Sequence, residues 1–301
     1  MKTKQPGEQV IGQKKKTNWS TWLLIGIMVL GALIMAYPSV SDWWNSYHST
    51  RAIAVYSQKV ESMSREEIDA LLEAAREYNR SLLTKENPYA MTEEDLAWYN
   101  SLLDPGGTGL IGYVQIPTVK INCPIYHGTE ENVLQTAIGH LDWTSLPVGG
   151  VGTHAVISGH RGLPRAKLFT DIDRLKEGDH FTITVLTQTI TYEIDQIRIV
   201  LPEDLAELGI VPDKDYFTLV TCTPYGINTH RLLVRGHRVE NDAMPIQVDP
   251  DAKILPRYVT IPAVGIPLLF LFLAGMLMTT GKKRPHVTEA DLENIDKIQT
   301  P

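Results

Sequence analysis

The chain begins with an apolar stretch that has the length of a membrane span. Residues from Trp22 to Tyr37 are almost all apolar, and the basic run Lys14-Lys15-Lys16 precedes them. About 20 apolar residues cross the hydrocarbon core of a bilayer, and flanking basic residues stay in the cytoplasm. We therefore predict a transmembrane anchor over residues 18–38, after a cytoplasmic basic tail over residues 1–17. A cleaved signal peptide is the alternative, although Tyr37-Pro38 offers no small-residue cleavage site.

A second apolar stretch lies near the other end, from Ile261 to Met278, and Lys282-Lys283-Arg284 follows it. This pattern predicts a transmembrane helix over residues 259–280 and a cytoplasmic tail over residues 281–301. With both termini in the cytoplasm, the segment between the two spans lies outside the cell. A buried core helix is the alternative, and the length of this uncharged stretch argues against it.

Between the spans, residues 39–107 have the periodicity of helices. Ser64-Arg65-Glu66-Glu67 has the spacing of a capping box, and the apolar positions after it recur on one helical face. A second short helix begins near Thr92. The residues that link these two helices, 84–90, form a polar loop.

From residue 108 to residue 245 the pattern changes to short apolar stretches separated by turn residues. This pattern favours a mostly β fold, a closed or nearly closed barrel, over alternating strands and helices. Residues 203–208 are predicted as a short helix, and residues 246–258 as a linker to the second span. The predicted strands cover residues 111–116, 119–121, 154–158, 180–186, 189–200, 217–222 and 231–238.

Composition then narrows the class of function. The 301 residues are 43% hydrophobic and 21% charged, which excludes a disordered chain and a polytopic transporter. A formal net charge of −7 gives no support to nucleic-acid binding. The sequence has neither the paired Cys and His spacing of a zinc site nor a Gly-rich phosphate loop, so we predict no metal and no cofactor.

The segment from Phe217 to Gly236 carries the first part of the candidate chemistry. Two apolar, β-branched stretches flank a loop that is rich in Pro, Gly and Asn, which predicts a β-hairpin. Cys222 ends the first strand, and Arg231 lies near the start of the second. Antiparallel pairing therefore brings a thiol and a guanidinium to the same end of the sheet.

A second apolar strand leads into Ser158-Gly159-His160, which places a histidine on a turn. A cysteine nucleophile needs a base or an imidazolium beside it, and an acyl-transfer intermediate needs a fixed cation or hydrogen-bond donor. Cys222, His160 and Arg231 would supply these three parts.

Several other residues compete for these roles. Two cysteines are too few for a disulfide framework, so Cys123 is interpreted as a buried strand thiol, and a Cys123–Cys222 disulfide is the alternative. The rival cations, Arg161 and Arg235, are interpreted as solvated surface charges. The rival histidines are His127, His140, His154 and His230.

Three motifs resemble those of the sortases, membrane-bound cysteine transpeptidases of Gram-positive bacteria. They are Thr-Leu-Val-Thr-Cys at 218–222, Ser-Gly-His-Arg-Gly at 158–162, and an Arg nine residues after the Cys. Ile-Gly-Tyr-Val-Gln-Ile-Pro at 111–117 and Pro-Ile-Tyr-His-Gly-Thr at 124–129 are similar to the class C, pilus-building sortases. The resemblance covers roughly residues 50–245. It implies an eight-stranded sortase barrel in which Cys222, His160 and Arg231 are catalytic.

The resemblance also implies a reaction. A class C sortase cleaves a Leu-Pro-x-Thr-Gly-like sorting signal between Thr and Gly through a thioacyl-enzyme, and transfers it to a lysine amine of the next pilin subunit. Pilin subunits in the same plasma membrane are then the partners, and the oligomeric state stays open. The alternatives are a housekeeping sortase that anchors surface proteins to the cell-wall precursor, a hydrolytic cysteine protease of another kind, and a non-enzymatic membrane receptor.

The loop at residues 84–90 matches a further feature of pilus sortases, a lid whose Asp-Pro-aromatic motif covers the active site. In this chain the matching residues are Asn87, Pro88 and Tyr89. Tyr89 retains the aromatic ring that would cover Cys222. Asn87 lacks the carboxylate that would pair with Arg231, so the resemblance implies a weaker latch, since neutral hydrogen bonds are about half as strong as charge-assisted ones.

Overall fold

The computed structural model describes residues 19–87, 89–164, 166–241 and Gly265. The chain divides into two compact units, of which one holds Tyr37–Asp251 and contains the barrel. The other unit is described mainly over residues 19–36, the apolar start of the first helix. The helices of the described chain are α1 (Trp19–Glu61), α2 (Arg65–Leu82), α3 (Glu93–Ser101) and α4 (Glu131–Leu134).

The strands of the described chain are β1 (Leu110–Ile116), β2 (Ile121–His127), β3 (Ile138–His140), β4 (Thr153–Ser158), β5 (His180–Val185), β6 (Gln188–Val200), β7 (Asp215–Thr223) and β8 (His230–Val239). They close into a barrel in the order β1-β2-β3-β4-β7-β8-β6-β5. The pairs β2–β3 and β4–β7 are parallel. The predicted eight-stranded barrel is confirmed.

The interior of the barrel is a packed aromatic and aliphatic core. Phe181, Tyr192 and Phe217 contact one another with ring centroids 5.2 to 5.7 Å apart. Gly236 lies against this cluster, where a Cβ atom would come within 2.9 Å of the Phe181 ring. A glycine is therefore needed for the close approach of β8. Because side chains fill the interior, a substrate has to bind on the outer face or at the rim.

Helices α2 and α3 are fixed to the barrel beside β3. Both expected helix starts have capping boxes, Ser64 with Glu67 and Thr92 with Asp95. Asn79 of α2 donates to the carbonyl of Leu146 and accepts from its N–H, at 3.0 and 2.7 Å. The buried residues of α2 are Ile68, Leu72, Ala75, Tyr78, Asn79 and Leu82. The loop at residues 84–90 is thus held from both sides.

Helix α1 is longer than the predicted anchor, because it continues through Pro38 to Glu61. Its last turns are held by the barrel: Tyr56 donates to the carbonyl of Ile111 and accepts from the N–H of Leu186, both at 2.7 Å. Such contacts offset the one helical hydrogen bond that a proline removes. In the described chain, one helix is long and apolar enough to cross a membrane, over Ile25–Glu61.

The second predicted span, over residues 259–280, lies outside the described residues except for Gly265. The same holds for the linker at 246–258 and for the tails at 1–17 and 281–301.

Two local predictions are wrong, and one strand is missed. The strand expected over residues 119–121 begins at Ile121 and runs to His127, because Pro117–Val119 forms a 3-10 turn and Lys120 has a left-handed φ of 56°. Strand β3 is not predicted, since three residues with a central glycine have no readable alternation. The helix expected over 203–208 is a single 3-10 turn at Ala206–Leu208.

Candidate active site

The hairpin of β7 and β8 brings the candidate nucleophile and cation together. Cys222 and Arg231 are direct partners across the antiparallel pair, and Thr223 and His230 form the next pair. Directly opposed residues point to the same face of a sheet, and consecutive residues alternate between faces. Cys222 and Arg231 therefore share one face, and His230 lies on the other. The register predicted from the sequence is confirmed.

Strand β4 brings His160 to the same end of the sheet. Ser158 pairs with Val220 in the parallel β4–β7 ladder. The N–H of Gly159 then donates to the carbonyl of Val220 at 3.1 Å, and the hydroxyl of Thr221 donates to the carbonyl of Gly159 at 2.7 Å. The residues that follow these bonds are His160 and Cys222. The fold thus brings all three predicted site residues to one edge of the barrel.

A cluster of apolar side chains, the outer apolar cluster, lies on the outer face of the barrel beside this edge. Its buried members are Val156, Val220 and Leu233, from three neighbouring strands, and Leu208, from the 3-10 turn at Ala206–Leu208. Val220 and Leu233 lie two positions from Cys222 and Arg231, so all four are on the same face. The partly buried residues packed against the cluster are Leu141, Trp143, Val200 and Leu205. The face that carries Cys222 and Arg231 is therefore apolar next to them.

The loop that carries the predicted lid residues contacts the edge of the outer apolar cluster. The ring of Tyr89 packs edge-on against Trp143, with centroids 5.0 Å apart. Asn87 accepts the N–H of Tyr89 at 3.1 Å. The Nη1 atom of Arg231 donates to the carbonyls of Asn228 and His230, at 3.4 and 3.2 Å. Pro88 lies outside the described residues.

The imidazole of His160 has an unused nitrogen. Its Nε2 atom has no hydrogen-bond partner in the part of the chain that the structure describes. The same atom lies 3.8 Å from a carboxylate oxygen of Glu131, which the sequence did not single out. Only 28% of the His160 side chain is exposed. A partly buried imidazole with an uncommitted nitrogen can exchange a proton with a bound substrate.

Two of the four rival histidines, His140 and His154, are structural. His140 is fully buried, where Nε2–H donates to the carbonyl of Ser145 and Nδ1 accepts from the Tyr99 hydroxyl, both at 2.9 Å. His154 bonds to the carbonyl of Gly209 and to the Thr218 hydroxyl. Burial lowers the pKa of His140 to about 3 and that of His154 to about 4. Both are therefore neutral and committed to internal bonds at physiological pH.

The two cysteines have different surroundings, and both are free thiols. Cys123 lies on β2 opposite Val114 and packs against the core. Burial raises the pKa of its thiol to about 12, so the reactive thiolate is scarce at neutral pH. The interpretation of Cys123 as a strand thiol is thereby supported, and the disulfide alternative is wrong.

The interpretation of Arg161 and Arg235 as solvated surface charges is wrong. Arg235 forms two bonds of 3.0 Å to Asp195 and lies over the ring of Tyr216. Arg161 pairs with Asp173, and its side chain is only 10% exposed. Their carboxylate partners lie 12 and 40 positions away, on separate elements, so the sequence pattern gave no signal for them.

Within the described ranges, no group of three or more His, Cys, Asp or Glu residues is arranged to hold a metal ion.

Comparison with known proteins connects this geometry to a family. The sortase domain family model matches residues 114–239. The chain is similar to the crystal structure of sortase C1 from Streptococcus agalactiae, with 53% identity, a TM-score of 0.61, and coverage of 64% of this chain and 100% of that one. A lid mutant of sortase C1 from the same organism is 43% identical, with a TM-score of 0.58 and coverage of 62% and 97%.

A third solved structure is sortase C from Clostridium perfringens with the C-terminal cell wall sorting motif. It is 43% identical, with a TM-score of 0.55 and coverage of 63% of this chain and 98% of that one. The chain spans 47%, 63% and 62% of the length of three curated relatives that it matches.

Proposed function

This chain belongs to the sortase family, with structural neighbours in its class C, and on that premise we propose that it is a pilus-building cysteine transpeptidase. The observation that carries the proposal is the meeting of Cys222, His160 and Arg231 at one edge of the barrel, beside the outer apolar cluster. These residues come from three different strand ends. Together they provide a nucleophile, a proton donor and a cation for one acyl-transfer reaction.

In the first half-reaction the Cys222 thiolate attacks the carbonyl carbon of the Thr in a Leu-Pro-x-Thr-Gly-like signal. Arg231 stabilises the oxyanion or holds the peptide. The imidazolium of His160 gives its proton to the departing glycine nitrogen as the C–N bond breaks. A thioester between Cys222 and the Thr carbonyl remains, and His160 is then neutral.

In the second half-reaction a lysine amine of the next pilin subunit attacks the thioester. Neutral His160 accepts a proton from the attacking nitrogen, and the C–S bond breaks to regenerate the Cys222 thiolate. The product is an isopeptide bond between two subunits. Repetition of this cycle would polymerise a pilus, and no cofactor is required by any step.

The outer apolar cluster supports a peptide substrate of this kind. Val220 lies two positions from Cys222 on the same face of β7, and Val156 and Leu233 lie on the neighbouring strands. An extended peptide bound along this face would place its apolar side chains against the cluster and its next carbonyl at the thiol. The related sortase C from Clostridium perfringens has been solved with a C-terminal cell wall sorting motif.

We also propose that residues 84–90, which include Asn87, Pro88 and Tyr89, act as a lid over the active site. The contact between Tyr89 and Trp143 supports this role, because Trp143 packs against the outer apolar cluster beside Cys222. The capping boxes and barrel contacts of α2 and α3 fix the two ends of the loop. A short loop with fixed ends and an exposed tip can open without disturbing the barrel.

The apolar start of α1 supports attachment to the plasma membrane. We propose two spans, at 18–38 and 259–280, with the catalytic barrel on the extracellular face and both termini in the cytoplasm. Pilin subunits that await processing in the same membrane would then meet the enzyme in two dimensions.

One experiment tests the chemistry directly. The full-length chain in detergent would be mixed with a sorting-signal peptide and a lysine-containing peptide, and adducts located by mass spectrometry. We expect a thioacyl adduct on Cys222 and a ligated product, both abolished in Cys222→Ala. Cys123→Ala is the matched control and should retain both. An unmodified Cys222 in the presence of substrate would contradict the proposal.

The same assay separates the other candidate functions. A housekeeping sortase would form the adduct on Cys222 but prefer the amine of the cell-wall precursor to the lysine peptide. A hydrolytic protease would release free acid whether or not an amine is present. A membrane receptor would keep its function in Cys222→Ala.

A further inference from the structure

We propose that Arg161 is a positioning residue for the transpeptidase reaction, which sets the distance between His160 and Cys222 without contacting the substrate. The proposal rests on the proposed function and names a further residue that the reaction requires. Arg161 follows His160 in sequence, and its contacts reach the residues that follow Cys222.

The contacts of Arg161 join two separate loops. Its Nη1 atom donates to the hydroxyl of Thr223 at 3.2 Å. Its Nη2 atom pairs with the carboxylate of Asp173, which belongs to a 3-10 turn at Ile172–Arg174. The guanidinium carbon lies 5.9 Å from the centre of the Tyr225 ring. One side chain thus connects the turn after β4 to the hairpin loop after β7.

Among the described residues, the hydrogen bonds between β4 and β7 stop just before the two reactive residues, His160 and Cys222. The last bonds between β4 and β7 are those of Gly159 with Val220 and Thr221. His160 and Cys222 come next, and the bond from Arg161 to Thr223 lies immediately beyond them. The two reactive residues are therefore bracketed by a cross-link on each side. Without the outer cross-link, the contact between the turn after β4 and the end of β7 would stop at the bonds of Gly159.

The low exposure of the Arg161 side chain indicates that its contacts are a fixed part of the fold. The Arg161 side chain is 10% exposed, and its Nε atom has no partner among the described residues. Arg174, in the same region, is 73% exposed and lies 3.6 Å from Asp171. Removing a cation from water is costly unless a partner compensates for it, and Asp173 supplies the compensation.

The packing of Tyr225 strengthens the link. Gly162 has a left-handed φ of 79°, and a Cβ atom there would lie 2.9 Å from the Tyr225 ring. The ring therefore rests on the backbone of the His160 turn, beside the Arg161 guanidinium. This contact closes the hairpin loop against the turn.

The hydrogen bonds of Arg161 hold its guanidinium between two protein partners. Both terminal nitrogens are engaged, Nη1 with Thr223 and Nη2 with Asp173. Arg161 therefore acts through the residues on either side of it. Misplacement of a reacting group by about 1 Å can reduce a rate about 100-fold, so a positioning residue has a measurable effect on turnover.

The test compares Arg161→Gln, Thr223→Val and the double variant in the full-length chain, with kcat and KM measured in the peptide ligation assay. We expect kcat to fall about 10- to 100-fold in Arg161→Gln, with KM changed less than about twofold, because the outer apolar cluster is untouched. Thr223→Val should lower kcat in the same direction. The double variant should be no slower than Arg161→Gln, because both changes remove one cross-link.

The controls separate positioning from folding. Arg174→Gln, which changes an exposed arginine nearby, should leave kcat and KM unchanged. Arg161→Lys should have a kcat between those of Arg161→Gln and wild type. Its ammonium can bind Thr223 or Asp173, but it cannot reproduce the two-sided contact of the planar guanidinium. If Arg161→Gln does not fold, Thr223→Val and Asp173→Asn test the same cross-link from its other ends.

The outcomes that would overturn the proposal are specific. Unchanged kcat in Arg161→Gln, losses that add in the double variant, or a change confined to KM would each contradict it. Wild-type protein that forms no thioacyl adduct would instead remove the proposed function itself. An adduct in wild type with full turnover in Arg161→Gln would remove only the positioning role.

Discussion

At the scale of single residues, position in the fold decides what each side chain can do. Cys123 and Cys222 are both free thiols in strands, but Cys123 packs against the core and has its pKa raised to about 12. Cys222 lies at one edge of the barrel, opposite Arg231 and next to the turn that carries His160. His160 and His140 also differ in their surroundings. His160 is partly exposed, and its Nε2 atom has no hydrogen-bond partner among the described residues, whereas both ring nitrogens of the buried His140 are hydrogen-bonded. Residue type alone identified the candidates, and surroundings distinguished them.

The buried histidines predict how stability depends on pH. The pKa of His140 is lowered from its ordinary value of 6.5 to about 3, mainly by burial. The unfolded chain therefore binds more protons than the folded chain between these two values, and stability falls as pH drops from about 6.5 toward 3. The loss approaches about 1.4 kcal/mol per pH unit for each such histidine. His154, with its pKa lowered to about 4, adds to this loss down to that pH.

Thermal unfolding followed by circular dichroism between pH 7.5 and pH 4.5 measures this dependence. The melting temperature should decrease across the interval in wild type. His140→Gln should have a lower melting temperature at pH 7.5 but a shallower decrease toward pH 4.5. An identical slope in the variant would show that the acid sensitivity has another origin.

At the scale of elements, α2 and α3 hold the two ends of the loop at residues 84–90. The capping boxes fix where each helix begins, and the bonds of Asn79 and Tyr99 fix the helices to the barrel. The Tyr89–Trp143 contact joins this loop to the outer apolar cluster. One aromatic pair of this kind is worth about 0.5–1.5 kcal/mol beyond the area it buries, which is small enough for the opening that the proposed lid requires.

Removal of the Tyr89 ring should therefore expose the active site. We expect Tyr89→Ala to increase the rate at which a thiol reagent labels Cys222 by a few-fold, measured by mass spectrometry over time. Tyr47→Ala removes an exposed ring from α1 and is the matched control, with no change expected. Unchanged labelling in Tyr89→Ala would remove the lid hypothesis.

Asn87→Asp extends this experiment to the latch. An aspartate would keep the acceptor for the Tyr89 N–H and would add a charge for Arg231, so labelling of Cys222 should slow. If the rate does not decrease, Arg231 is not the partner of the lid.

At the scale of the whole molecule, the proposed topology has consequences for which residues are accessible from outside the cell. The positive-inside rule assigns both termini to the cytoplasm. In a Cys123→Ala, Cys222→Ala background, a membrane-impermeant maleimide applied to intact cells should label Ser101→Cys, on the exposed side of α3. It should not label Thr3→Cys or Thr300→Cys until the cells are permeabilised. Labelling of Thr300→Cys in intact cells would contradict the second span.

The sequence by itself determined the features that depend on neighbouring residues. The two capping boxes, the β7–β8 hairpin, the pairing of Cys222 with Arg231 and the apolar first helix all arise from interactions over a few positions. The full length of α1 does not, because its continuation beyond Pro38 depends on contacts with the barrel.

Only the tertiary structure decided what distant segments do to one another. The parallel pairing of β4 with β7 joins residues 62 positions apart, and it brings His160 beside Cys222. The tertiary structure also buries Arg161 between Thr223 and Asp173. The sequence pattern predicts an exposed charge at this position, but the folded chain uses it as a cross-link. The order of neighbouring residues determines local hydrogen bonds and the face to which each side chain points. The burial of a side chain and the partner of a strand depend instead on which strands meet when the barrel closes.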